Sequence, residues 1–357
     1  MTRVLLVVLL LAQTSVAAWA LSQEAKEHLQ AGALAEKQKN FAVAIAEFRA
    51  VTKLEPAETI GYIRFANALM ENHQYGEAIA PLKAALTQSP DLPIAHQLLG
   101  YALLAQGSAA EAIPHLDKVH ELGGLGLAQL QTGRASDAVT NLQAALTRTP
   151  NDPDLLYYLS QASEMLSQQS LDILLSAHPD SARAFQAKAH NFYVLHELPQ
   201  AEQQYHQALA LRPDIPGLHL ELGQVYAAGS QWEKAEEEFL TETKLQPENA
   251  EAAYRLGDAR LQQGKLHDAL TELQRADQLR PDMSETLYSL GKASLLSNDI
   301  DSAERALSRV VVLEKESPLA GQAHYLLASV YRKKGKTVEA ERELNEFHRL
   351  ETANKAP

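Results

Sequence analysis

Alanine recurs in this chain at a fixed step of 34 residues: Ala44, Ala78 and Ala112, and again Ala201, Ala235, Ala269 and Ala303. Proline keeps that step at Pro56 and Pro90 and at Pro179, Pro213, Pro247 and Pro281; glycine keeps it at Gly223, Gly257 and Gly291. Three columns in one register require tandem copies of one structural unit. A chain of such copies folds as a solenoid in which each copy packs on its neighbours. The 357 residues are therefore expected to form one array rather than two globular domains.

The copy that begins at Pro216 shows what the unit is. Leu222, Gly223 and Tyr226 share one apolar-periodic stretch, Gly229 interrupts it, Trp232, Ala235 and Phe239 form a second stretch, and Pro247 ends it. Spacings of three and four mark helix faces, so the unit is two helices joined by a tight turn. Gly223 and Ala235 let the two backbones approach. Glycine inside a helix costs about 0.5–1 kcal/mol against alanine, so the close approach has to offset it. These residues resemble the tetratricopeptide repeat (TPR), whose pattern orders Trp or Leu, Leu-Gly, Tyr, Ala, Phe, Ala and Pro. The resemblance implies an all-α, right-handed superhelical solenoid of about ten repeats and about twenty helices. The units start near Ala25, Thr59, Pro93, Val119, Pro153, Ala182, Pro216, Ala250, Ser284 and Gly321. The expected solenoid covers residues 21–354, followed by a short tail at 355–357.

Several units depart from the pattern. The step from Ala112 to Ala138 is short, and Gly123, Gly124 and Gly126 weaken the helix at that junction. The fifth unit lacks the alanine column and carries Ser160 where glycine or alanine belongs. Irregular geometry is expected over 119–181, dividing the array into stacks at 22–150 and 182–354. Pro93, Pro153, Pro216 and Pro318 suit the first position of a helix. Asp152, Ser181, Asn249 and Ser284 are candidate N-caps, and Ser108 with Glu111 reads as a capping box. Pro81 and Pro114 fall inside second helices.

Residues 1–20 read differently. Arg3 precedes an apolar run from Val4 to Ala12, and Ala18-Trp19-Ala20 fits a small-x-small cleavage site, so a secretory signal is expected with Leu21 as the new N-terminus. An uncleaved membrane anchor is the alternative; after cleavage no membrane insertion is expected. The formal net charge of −13 makes nucleic acid an unsuitable partner. Without cysteine there is no disulfide, no thiol nucleophile and no thiolate metal site. Secretion without cysteine suits a bacterial periplasm.

The search for chemistry finds little. His28, His96, His219 and His324 occupy the fourth position of their units and read as packing residues at the helix seam. The run Glu236-Glu237-Glu238 reads as a solvated face. No zinc-protease motif, nucleophile elbow, phosphate loop or dinucleotide fingerprint occurs. No cofactor, metal site or catalytic residue is expected.

That leaves the inner groove, which the resemblance assigns to positions 2, 5, 6, 9, 12 and 13 of each first helix. Those columns hold Tyr101, Tyr157, Tyr158, Tyr193, Tyr254, Arg255, Tyr288, Lys292, Tyr325 and Arg332. Tyrosine and arginine anchor interfaces because they join apolar area to a polar tip. Tyr254, Tyr288 and Tyr325 repeat one position and are expected to form a ladder. Asn67 and Arg64 match fragments of the carboxylate clamp found in some TPR domains, but its lysine–asparagine pair is incomplete. The function expected is a non-catalytic scaffold that binds a protein or peptide, as in bacterial envelope assembly or export systems. A carbohydrate-binding solenoid and an enzyme with an unrecognised groove site are the alternatives. The sequence leaves the oligomeric state open.

Overall fold

A computed structural model describes residues 21–353, and the expected signal at 1–20 lies outside them. Every regular element among the described residues is an α-helix, nineteen in all. Contacts divide the chain into two compact units, one ending at Asp172 and the other starting at Ile173. The first holds α1 (Gln23–Lys37), α2 (Phe41–Leu54), α3 (Thr59–Glu71), α4 (Tyr75–Gln88), α5 (Pro93–Ala105), α6 (Ala109–Lys118), α7 (Leu122–Gln131), α8 (Ala135–Leu146) and most of α9 (Pro153–Ala177). The second holds α10 (Ala182–Val194), α11 (Leu198–Leu211), α12 (Leu218–Ala228), α13 (Trp232–Leu245), α14 (Ala250–Gln262), α15 (Leu266–Leu279), α16 (Ser284–Leu296), α17 (Ile300–Glu314), α18 (Pro318–Lys333) and α19 (Thr337–Ala353).

Within each unit consecutive helices pack in pairs, and each pair repeats one contact. The alanine column forms its floor: Ala44, Ala78, Ala112, Ala201, Ala235, Ala269 and Ala303 are all 0% exposed. The glycine column faces the bulky side chain sixteen residues on. A Cβ added to Gly223 would lie 2.5 Å from Phe239, one on Gly257 2.7 Å from Leu273, and one on Gly291 2.5 Å from Leu307. Those rings and branches fill the space that a side chain would need. Of the three junction glycines, Gly126 plays the same part against Leu142. All three lie buried in α7.

The turn inside each pair is also periodic. Lys39, His73, Gly107, Gly133, His196, Ser230, Gly264, Asn298 and Gly335 hold the same turn position, and all have positive φ. The left-handed residue directs the next N–H back to the helix just ended, as Gln231 N–H donates to the Tyr226 carbonyl at 2.8 Å. Gly229, which the sequence marks as the turn, has φ −83° and merely ends α12; Ser230 makes the turn. In the fifth repeat the corresponding residue, Ser167, lies inside α9. No turn is made there, and the helix runs on for 25 residues, so this repeat is one helix rather than two. Its first half packs Leu155 and Ala162 against Ala138, Leu142 and Ala145.

Helix starts follow the sequence with three exceptions. Ser181 and Asn249 accept from Ala184 and Ala252 N–H at 3.2 and 3.1 Å, and Asp152 accepts from Leu155 N–H at 3.0 Å. Ser108 precedes α6, but its hydroxyl makes no capping bond, so the capping box does not form. Ser284 is the first residue of α16, with Met283 before it. Pro216 precedes α12 by two residues, and Gly217 occupies the cap position at φ 89° with no side chain to offer. Glu242 on α13 replaces that missing cap. Its carboxylate is 0% exposed and accepts from Gly217 N–H at 2.9 Å and Leu220 N–H at 3.3 Å. Two amides that the helix cannot satisfy internally are thereby paired.

Candidate functional site

In the second compact unit, α10, α12 and α14 line a cleft of about 310 Å³, with α13 at its back. Tyr193 comes from the last turn of α10 and Gln224, Ala227 and Ala228 from α12. Trp232 and Phe239 come from α13, and Arg255, Asp258 and Ala259 from α14. The room exists because two alanines end α12 where a larger pair would close the gap. Trp232, the first residue of α13, walls the space that they leave.

The polar groups of the cleft are already oriented. Arg255 donates to Glu251 at 2.8 Å and lies over the Tyr254 ring, 5.1 Å from its centroid. Asp258 accepts from the Ser289 hydroxyl at 3.2 Å. Burial first, and then the charge of Asp258, pushes the Tyr254 phenol up to about 12. The same two causes raise Tyr288. Gln224 and Asp258 occupy one repeat position in the successive first helices α12 and α14, so each of these two helices brings a polar group to the cleft.

The structure gathers two of the ten candidate groove residues, Tyr193 and Arg255, into this cleft. Tyr254 lies behind it at 9% exposure, in the core with Ala253, Leu261 and Leu273. Tyr288 is half-buried against Leu287 and its neighbours. Tyr325 is 51% exposed, with its ring 5.4 Å from Phe347. The three tyrosines thus grade from core to surface, and the ring contact that the ladder makes is to Phe347 rather than between its own rungs. Lys292 is half-buried on α16, and Arg332 is exposed at the end of α18.

In the first compact unit, Tyr101 packs against the core of α5 to α7, where burial and then Glu121 push its phenol up. Tyr157 and Tyr158 meet edge to face at 5.6 Å on α9. Arg64 is engaged by Glu36 at 3.3 Å, so it is not free for a partner's carboxylate. Burial raises Glu36 in spite of that arginine.

Trp232, Phe239, Gln224 and Asp258 complete the cleft without having been among the ten candidates. Trp232 and Phe239 sit in second helices, which the groove columns do not cover. The Ala227-Ala228 pair that leaves room beside Trp232 is no signal in itself, since Ala144-Ala145 and Ala252-Ala253 read the same. The glutamate run is also less solvated than its sequence suggests. Glu236 accepts from Arg260, Gln263 and Lys265, Glu238 pairs with His219, and Glu237 alone of the three is exposed. Burial works against the Glu236 charge, yet those three donors hold its carboxyl below the usual range. Among the described residues no group of three metal-ligating side chains occurs, and no helix is long and apolar enough to cross a membrane.

Two profiles described as tetratricopeptide repeat match the chain, one over residues 63–122, 124–168, 187–242 and 228–284, the other over 260–320. No curated protein matches. Among solved structures, MamA from Desulfovibrio magneticus RS-1 is 19% identical, covering 49% of this chain and 97% of that one, with a TM-score of 0.46. YrrB, described as a TPR protein with an unusual peptide-binding site, is 20% identical over 50% of this chain and 91% of that one, with a TM-score of 0.44. A chain of the Cut9–Hcn1 hetero-tetramer of the APC/C is 14% identical over 94% of this chain and 88% of that one, with a TM-score of 0.45. The repeat profile spans more than half of a chain whose helices, α9 apart, pack in consecutive pairs, and the chain belongs to the tetratricopeptide-repeat family of protein-interaction scaffolds.

Proposed function

We propose that this scaffold holds an extended segment of a partner protein and that the cleft between α10, α12 and α14 receives one bulky side chain of that segment. The observation that carries the reading is the cleft's composition. Tyr193, Trp232 and Phe239 offer apolar and aromatic surface, and Gln224, Arg255 and Asp258 stand at its rim. A volume of about 310 Å³ suits a single large side chain, and the spaced polar groups suit main-chain amides on either side of it. Filling the cleft is the direct test. Ala228 is exposed, so Ala228→Trp adds bulk without entering the core. Peptides selected from a displayed random library on the wild-type chain should bind Ala228→Trp at least about tenfold more weakly, roughly 1.4 kcal/mol, with helical content unchanged. Equal binding by both proteins removes the cleft from consideration. A glycan array that binds the wild type but not Ala228→Trp, where no peptide is selected, would transfer the site to carbohydrate.

The scaffold is further proposed to work outside the cytoplasm, as part of a bacterial envelope assembly or export system. Support comes from the apolar run Val4–Ala12 and the Ala18-Trp19-Ala20 cleavage pattern. N-terminal sequencing of the protein recovered from a periplasmic extract should begin at Leu21, and a start at Met1 in the membrane fraction would replace export with anchoring.

A further inference from the structure

Four repeats place a histidine at the same point of their first helix, and each meets a side chain nineteen residues on, in the second helix. His28, His219 and His324 meet Glu47, Glu238 and Glu343 at 2.6, 2.6 and 2.5 Å. In the third repeat the partner is another histidine: His96 Nδ1 lies 2.7 Å from His115 Nδ1. One joint is therefore built from two chemistries that answer protons differently.

His219 is surrounded by groups that favour its cation. Glu238 bonds it, Glu242 from the same helix adds negative charge, and the Pro213 carbonyl faces it from the preceding loop. The Glu238 bond leads in raising His219 above the ordinary histidine range, against the opposing effect of burial. A charge-assisted bond of this kind is roughly twice as strong as a neutral one.

The pair in the third repeat needs fewer protons. His96 Nε2 lies 2.8 Å from the Pro90 carbonyl, which can only accept, so that nitrogen carries hydrogen. In the neutral ring Nδ1 is then an acceptor, and His115 Nδ1–H donates to it. One further proton can sit on His115 Nε2 without breaking the bridge. A second would set N–H against N–H between two cations. The surroundings oppose even the first: burial, then His96, Lys83 and Lys118, hold His115 below the ordinary range, with Glu111 the carboxylate that opposes them; Asp91, the carboxylate near His96, is engaged by Lys118 at 2.6 Å.

We propose that mild acid acts in opposite senses on these two repeats, loosening α5 against α6 and fastening α12 against α13. The signs follow from linkage. The His219 contribution is fully present below the unfolded histidine value of about 6.5 and is lost as pH rises through its higher folded value. The His115 contribution is present above about 6.5 and is lost as pH falls through its lower folded value. Because α12 and α13 carry Gln224, Ala227, Ala228, Trp232 and Phe239, the cleft wall is held most firmly under conditions that begin to open the third repeat. The inference stands whatever the cleft binds.

Hydrogen exchange of the full chain, read by mass spectrometry at about pH 5.5 and about pH 8 and corrected for intrinsic rates, tests it. On acidification, protection should fall at least about threefold in peptides from 93–118 and rise by a similar factor in peptides from 218–245. His115→Gln and His219→Gln should each flatten the response of its own repeat and leave the other's intact. Any pairing other than opposite signs in the wild type overturns the proposal, as does a wild-type response retained in both variants. If a variant unfolds, the wild-type comparison decides alone.

Discussion

The fifth and eighth repeats began from one pattern and ended as different objects. In the eighth, α14 turns at Gly264 and α15 folds back on it. Gly257 is then buried with Leu273 where its side chain would be, and Tyr254 is 9% exposed. In the fifth, no residue takes the left-handed turn, α9 continues, and no second helix returns. The equivalent of Gly257 is Ser160, which is exposed, and the equivalent of Tyr254 is Tyr157, 60% exposed. The small residue is thus a demand of the returning helix; the buried ring is not, because Tyr325 holds the same column beside the returning α19 and is 51% exposed. A lone helix makes no such demand, and Ser160 stands exposed at that position.

Two paired substitutions test that contrast. The larger effect belongs to the tyrosines. Tyr254→Ala empties a buried site and should cost about 3 kcal/mol, near the lower end for removing a core aromatic ring. Tyr157→Ala should change stability by no more than about 0.5 kcal/mol, the range for exposed positions. Urea unfolding followed by circular dichroism reads both, and equal midpoint shifts would dissolve the distinction. The smaller effect belongs to the glycine position. Gly257→Leu places Cβ 2.7 Å from Leu273 Cγ and 3.1 Å from its backbone nitrogen, so overpacking should cost about 1–3 kcal/mol. Ser160→Leu meets no returning helix and should be neutral within about 0.5 kcal/mol. A strongly destabilised Ser160→Leu would show that α9 has a partner surface after all.

The fold was legible because packing is periodic. Alanine, glycine and the large residue sixteen places after the glycine must recur wherever two helices close on each other, so sequence alone exposes them. The turn was less legible. Lys39, His73, His196, Ser230 and Asn298 all adopt positive φ, and lysine and serine among them do nothing to advertise that conformation. The same weakness hid the missing turn in α9, where Ser167 looks no worse than Ser230. The cleft was half legible. Tyr193 and Arg255 stand in first-helix columns that a register can number. Trp232 and Phe239 enter from the second helix, and the space between them comes from Ala227 and Ala228, residues that reveal nothing by themselves. Groove position also failed to imply exposure: Tyr254 and Tyr325 share a column, and only Tyr325 reaches solvent.

The carboxylate of Glu242 has a consequence for how the seventh repeat comes into being. A ribosome delivers Gly217 first and Glu242 twenty-five residues later. At about 5–20 residues per second, the opening amides of α12 wait on the order of seconds for the group that will accept from them. Until then the emerging segment has a helix start with no cap of its own. Where Ser181 or Asn249 lets a first helix settle as soon as it is made, the seventh repeat gains its start and its return stroke together.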